Sequence, residues 1–215
     1  MAVAALSGGV FCGIILSSEN DDSESVMIMR WHRALVAGAA VAGLAAPLAH
    51  AAGFTLSSPT IQRGGLLSEA QVFNGFGCTG QNISPALEWK NPPKGTRSFA
   101  VTVYDPDAPT GSGWWHWVVY NIPAASTMLA EGAGSADGKS MPIGAVQGRT
   151  DFGAPGFGGA CPPKGDKPHR YVFTVFALKI EKIEAPADGT AALVGFMVNA
   201  NKIGQASFTA YYGRK

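Results

Sequence analysis

Charge is the scarcest ingredient of this chain. Only 14% of its 215 residues are Asp, Glu, Lys or Arg, and the basic ones are scattered, which leaves no positive stripe to follow a nucleic-acid backbone. Histidine and cysteine are rare too, at four and three copies. Nothing repeats at a solenoid spacing, and no apolar run reaches the roughly 20 residues of a membrane-spanning helix. There is no G-x-S-x-G nucleophile elbow and no H-E-x-x-H zinc motif, and "GGACPPKG" lacks the G-K-[ST] ending of a phosphate loop. These absences remove the commonest hydrolase and nucleotide-binding signatures.

What abounds is glycine and proline, 28 and 14 residues without a period, alongside 47% hydrophobic residues. That composition supplies one sizeable core, many turns and short strands, and argues against a helical bundle. A mainly β protein is expected.

The N-terminus reads as processing sequence. Arg30, His32 and Arg33 form a basic region, Ala34 to Ala46 a small-residue apolar stretch, and Ala49-His50-Ala51 an A-x-A cleavage site. This is the pattern of a secretory signal peptide over residues 27–51, cut after Ala51. Residues 1–26 then read as an upstream extension, with Met27 or Met29 as the start. The chain from 52 to 215 is expected to form a single domain. It keeps 14 basic and 11 acidic residues, a net charge of +3, with Cys78 and Cys161 as its two cysteines. In an oxidising compartment a lone pair of cysteines is expected to form a disulfide.

Three runs, 98–104, 114–123 and 169–179, are continuously apolar, β-branched and aromatic, as in strands buried on both faces. "FTLSS" (54–58) and "QVFNGFG" (71–77) read as short strands, and the close of the chain as a final strand. Over 188–204, Leu193, Phe196, Met197, Ala200 and Ile203 fall on one helical face, with Gly204 placed as the cap. The sum is an antiparallel β-sandwich-like fold, a large central sheet packed on a smaller one, with few peripheral helices and one near the C-terminus.

The mature chain has two histidines, His116 and His169, each in or at the start of an apolar strand. An imidazole in such a place needs a partner. The turn "APTGSG" returns the chain after Asp105-Pro106-Asp107, so a hairpin would bring Asp105 or Asp107 near His116. A proline-rich loop delivers His169. Both histidines and both carboxylates then converge at strand ends, rimmed by Pro109, Trp114 and Trp117, as in a small-molecule pocket.

The segments "DPDAP" (105–109), "GSGWWHW" (111–117) and "GFGGACPPKGDKPHRYVF" (156–173) resemble the phosphatidylethanolamine-binding protein family, in its bacterial Raf-kinase-inhibitor-like branch. The resemblance runs from "FTLSSP" through the C-terminal helix. It implies that Asp105, Pro109, Trp114, His116, His169 and Tyr171 line a pocket for phosphate-like head groups, with Asp107 beside them. It implies further that Cys161 stands where many members hold the ligand through a small residue's backbone. The sequence departs from animal members at Trp115, which is histidine in some, and in lacking the terminal helix that partly covers their pocket.

Three function classes follow. The first is a secreted or periplasmic binding protein that holds a small anionic or phosphorylated ligand, needs no cofactor and acts on a partner protein. The second is a protease or kinase inhibitor-type protein acting through its surface. The third is a hydrolase, with Cys161 as nucleophile, His169 as base and Asp105 as orienter, or with a metal on the histidines and carboxylates. The resemblance also brings a homodimer as an expectation, and the signal peptide implies no stable membrane insertion after cleavage.

Overall fold

The three apolar runs are the middle of the molecule. In the computed structural model, which describes residues 53–215, ten strands β1 to β10 and one α-helix α1 are formed. The signal-peptide pattern and the upstream extension lie outside the described residues. In chain order the strands are β1 (Thr55–Ser57), β2 (Asn74–Gly75), β3 (Cys78–Thr79), β4 (Leu87–Lys90), β5 (Ser98–Asp105), β6 (Trp114–Pro123), β7 (Met128–Leu129), β8 (Val146–Gln147), β9 (His169–Leu178) and β10 (Lys202–Tyr212). They form a five-stranded sheet in the order β10-β9-β5-β6-β8, a three-stranded sheet β1-β4-β7 and a β2-β3 hairpin.

The mainly β sandwich expected from the sequence is therefore present, and its layers explain the unbroken apolarity of the central strands. On one face of the large sheet, Phe99, Val101, Val103, Trp117, Val119, Phe173 and Val175 pack with Leu56, Leu87, Trp89 and Leu129 of the small sheet. On the other face, Ala100, Val118, Tyr120 and Leu178 pack with Ala191, Val194 and Val198 of α1 (Ala191–Asn201). A strand covered on both sides has no solvent face to carry polar residues.

Four local expectations are corrected. The segment 71–77 is mostly not strand: Ser68 caps a single 3-10 turn at Glu69–Gln71, and only Asn74–Gly75 joins a hairpin. The helix buries Ala191, Val194 and Val198, whereas Leu193, Phe196 and Ala200 are exposed and Ile203 already belongs to β10. Because nearly every residue of α1 is apolar, the sequence offers more than one stripe. The sheet takes the small one, which lets the helix lie close. Gly204 caps nothing, since the chain passes from α1 into β10 at Lys202 with extended backbone. Trp117 is fully buried in the core and donates from Nε1 to Gln147 at 2.8 Å, so it does not rim a pocket.

Candidate functional site

Side chains alternate along a strand, and the core row of each central strand turns polar at one end of the sheet. Val101 and Val103 continue to Asp105, and Val175 and Phe173 continue to Tyr171 and His169. These ends lie together because β5 and β9 are antiparallel neighbours, with Val103 opposite Phe173. On β6 simple alternation would put His116 on the wrong face. Val103 pairs with Trp117 and Tyr104 with Trp115, leaving His116 as the extra residue of a β-bulge. Bulges re-aim side chains, and this one turns His116 to the side of Asp105 and Tyr171.

The cavity at this end encloses about 150 Å³. Asp105, His116, His169 and Tyr171 form its polar walls; Pro109, Trp114, Phe152, Phe76, Cys161 and Pro162 supply the apolar ones. The sequence-predicted residues are thus brought together, except Trp117, which lies in the core, and Asp107. Its carboxylate faces away and grips Arg170 through both oxygens, at 2.9 Å to Nε and 2.7 Å to Nη2. That guanidinium holds the Asp107 carboxyl down at about 2. Asp107 still serves the site, because its backbone N–H donates to Asp105 at 2.8 Å.

The hairpin expectation put a carboxylate beside His116, but Asp105 pairs with the other histidine. Its Oδ2 lies 2.7 Å from His169 Nδ1, and both side chains are almost dry. The far nitrogen of His169, Nε2, faces Asp166 at 3.3 Å. His116 is oriented instead by backbone: Nδ1 donates to the Gly158 carbonyl at 2.7 Å, and the Gly158 N–H donates back to the His116 carbonyl at 2.8 Å. A carbonyl only accepts, so the proton sits on Nδ1. Burial pushes the His116 pKa below its ordinary 6.5. The ring is therefore neutral near pH 7 and leaves Nε2 as an acceptor.

This carries a stability prediction. Above about pH 6.5 the ring is neutral folded and unfolded alike and contributes no pH dependence. As the pH falls through that value the unfolded chain takes up a proton that the buried ring refuses, and stability declines until the folded ring titrates. Urea unfolding of the wild type is expected to lose stability on acidification below about pH 6.5. His116→Asn should remove that part of the slope; an unaltered slope in the variant would refute a neutral buried His116.

Tyr171 is the second distinctive group. It is 1% exposed, burial pushes its pKa far above the usual phenol value, and its hydroxyl has no hydrogen-bond partner among the described residues. It is a buried donor on a cavity wall.

The walls also include residues that the sequence did not single out. Phe76 and Phe152 stack at 5.8 Å, and Trp114 meets Phe152 edge-on at 5.4 Å. Both phenylalanines come from loops, where no period marks them. Gly158 was hidden because it acts through its backbone; a Cβ there would run into the Phe152 ring. Cys161 is joined to Cys78, with Cα atoms 6.0 Å apart, so the sulfur that a cysteine nucleophile would need is in a disulfide. Among the described residues, no group of three or more His, Cys, Asp or Glu side chains could hold a metal.

Comparison with known proteins points to one family. The family model described as phosphatidylethanolamine-binding protein matches residues 57–213. Among curated proteins, YbcL of Escherichia coli K12 is 61% identical over 164 residues, covering 76% of this chain and 90% of YbcL. YbhB of the same organism is 52% identical over 157 residues, covering 73% of this chain and 98% of YbhB. The crystal structure of E. coli YbcL, described as a new member of the mammalian PEBP family, superposes with a TM-score of 0.75 at 60% identity, over 76% of this chain and all of that one. With its family model spanning most of the chain and the polar ends of three core strands gathered in one cavity, this protein belongs to the phosphatidylethanolamine-binding protein family.

Proposed function

We propose that the chain is an exported binding protein whose cavity holds the head of a small anionic molecule, a phosphate or phosphorylated group, without turning it over. The observation that carries this reading is the Tyr171 hydroxyl. A buried donor without a partner costs about 1–3 kcal/mol, and it stands on the wall of a cavity where a ligand oxygen would relieve it.

The neighbouring chemistry refines the ligand. Asp105 is committed to His169 through one oxygen and to the Asp107 amide through the other, so both of its oxygens are engaged. The free functions are then a donor, Tyr171 O–H, and an acceptor, His116 Nε2. A singly protonated phosphate group offers the complements, P–O⁻ and P–O–H, and its second proton is lost only near pH 6. The volume, about 150 Å³, is below the roughly 300 Å³ at which drug-sized ligands begin to fit. Only a head group fits, and the aromatic rim of Phe76, Trp114 and Phe152 keeps bulk water away. Export rests on the signal pattern at 27–51 and on the disulfide, which suits an oxidising compartment. Among the described residues, no helix is long and apolar enough to cross a membrane.

The test is a titration of phenyl phosphate and inorganic phosphate into wild type and Tyr171→Phe, followed by calorimetry and ³¹P NMR. Loss of the hydroxyl is expected to weaken binding by about tenfold or more, as for a hydrogen bond to a charged group. Thermal stability should stay level or rise, because the variant no longer buries an unpaired hydroxyl. Equal affinity in the two proteins, or no binding by the wild type, would overturn the reading.

A further inference from the structure

One wall of the cavity has few backbone hydrogen bonds of its own. The lip Cys161-Pro162-Pro163 contains two consecutive prolines, which have no N–H and so cannot form a ladder through donors. The facing segment, at the tip of the β2-β3 hairpin, carries Phe76 and Gly77 at φ 54° and 77°. For phenylalanine this left-handed backbone is costly, and such strain persists only where the surroundings hold it. Phe76, Cys161, Pro162 and Pro163 all line the cavity.

Arg214 reaches both segments from the C-terminal tail. Its Nε donates to the Pro162 carbonyl at 2.5 Å and its Nη1 to the Gly77 carbonyl at 3.2 Å. The tail is itself fixed at this spot: Tyr212 pairs with His169 at the end of β10, and the Gly165 N–H donates to the Arg214 carbonyl at 3.1 Å. One planar guanidinium thus spans the two segments that the Cys78–Cys161 disulfide also joins. Its charge reaches the cavity as well, opposing at Tyr171 part of the upward push of burial.

We infer that Arg214 is a positioning residue for the pocket: it clamps the Phe76–Gly77 tip to the Pro162 lip in parallel with the disulfide, and sets the width of the mouth. Lysine is no substitute, since a single ammonium on a flexible stem lacks the fork that faces two carbonyls at once. The inference rests on the binding function proposed above only for its consequence on affinity; the clamp itself is a statement about the lip.

Two readouts test it separately. The first needs no ligand: the rate at which dithiothreitol reduces the Cys78–Cys161 bond in the native protein without denaturant. Arg214→Ala is expected to speed reduction about tenfold, the factor given by losing roughly 1.4 kcal/mol of lip closure. A residue that contributed only to global stability would leave this local rate unchanged while lowering the unfolding midpoint. The second readout is phenyl phosphate affinity, expected to fall about fivefold, less than a cavity-wall residue would cost. If Arg214→Ala does not fold, as judged by circular dichroism, Arg214→Lys is measured instead, with the same expected acceleration. A reduction rate within about twofold of the wild type in a folded variant would overturn the clamp. If the wild type binds no phosphate ester, the proposed function fails, and the reduction rate still decides the role of Arg214.

Discussion

Asp105→Ala is expected to destabilise the protein by about 3–5 kcal/mol, the usual cost of breaking a buried pair by removing one partner. The size follows from the site. His169 and Asp105 are 5% and 3% exposed at their side chains and meet at 2.7 Å, so removing the carboxylate leaves Nδ1 without its protein partner in a nearly dry place. The same deletion removes the acceptor for the Asp107 N–H, which loosens the turn that follows β5. Binding should fail as well, because Asp105 sits between the Trp114 position on one neighbouring strand and the Tyr171 side of the cavity.

Asp105→Asn separates hydrogen bonding from charge. The amide keeps one acceptor oxygen, for His169 Nδ1 or for the Asp107 N–H but not for both, and the negative charge is gone. A loss of roughly half that of the alanine variant is expected if both contributions matter. Urea denaturation of the three proteins gives the comparison. An alanine variant within about 1 kcal/mol of the wild type would mean that the pair has no structural role.

Why this pair was not legible in the sequence has a definite physical answer. Hairpin turns are local, so the return of "APTGSG" makes Asp105 and His116 neighbours on paper. The partner that Asp105 takes is 64 residues away, across a β5-β9 pairing whose register depends on the whole sheet. Parity was available: Asp105 shares a face with Val101 and Val103, and His169 and Tyr171 share one with Phe173 and Val175. Those two alternations alone place three of the four polar wall residues at the end of the core row. His116 breaks the rule because β6 bulges there, and no residue type in "WWHWVV" announces a bulge. A one-residue displacement moves every side chain beyond it to the other face, which is also why Trp117 looked like a rim residue and lies in the core.

The rest of the outcome divides along the same line. Long continuous apolar runs identified β5, β6 and β9 to within a residue or two of their ends, because burial on both faces leaves a strong mark. The segments that carry the resemblance, "DPDAP", "GSGWWHW" and "GFGGACPPKGDKPHRYVF", all contribute residues to the cavity at the polar end of the sheet. Missing were the contributions made by backbone and loops: the Gly158 carbonyl, the Phe76–Phe152 stack and the Arg214 fork. None of these has a period, and each depends on segments brought together only by the finished fold.

Replacing Cys78 and Cys161 with serine is the other large effect, an expected loss of about 3–5 kcal/mol in the chain-entropy account of cross-linking. The two cysteines are 83 residues apart, so the bridge restricts about half of residues 53–215 when they are unfolded. For a domain of this size the midpoint of thermal unfolding should fall by roughly 10 °C. The loss should be uneven in space. The five-stranded sheet keeps its ladders without the bridge, whereas the β2-β3 hairpin and the proline lip are short elements with few hydrogen bonds of their own. Far-UV circular dichroism is therefore expected to stay near that of the wild type, while amide exchange at the hairpin accelerates and phosphate-ester binding weakens. With Arg214 in place the mouth is still held by one clamp, so removing the disulfide and Arg214 together should weaken binding by more than the product of the separate effects, as expected for groups that share a task. A double-cysteine variant less than about 1 kcal/mol below the wild type would show that the hairpin and lip are already confined in the unfolded chain or held by the tail alone.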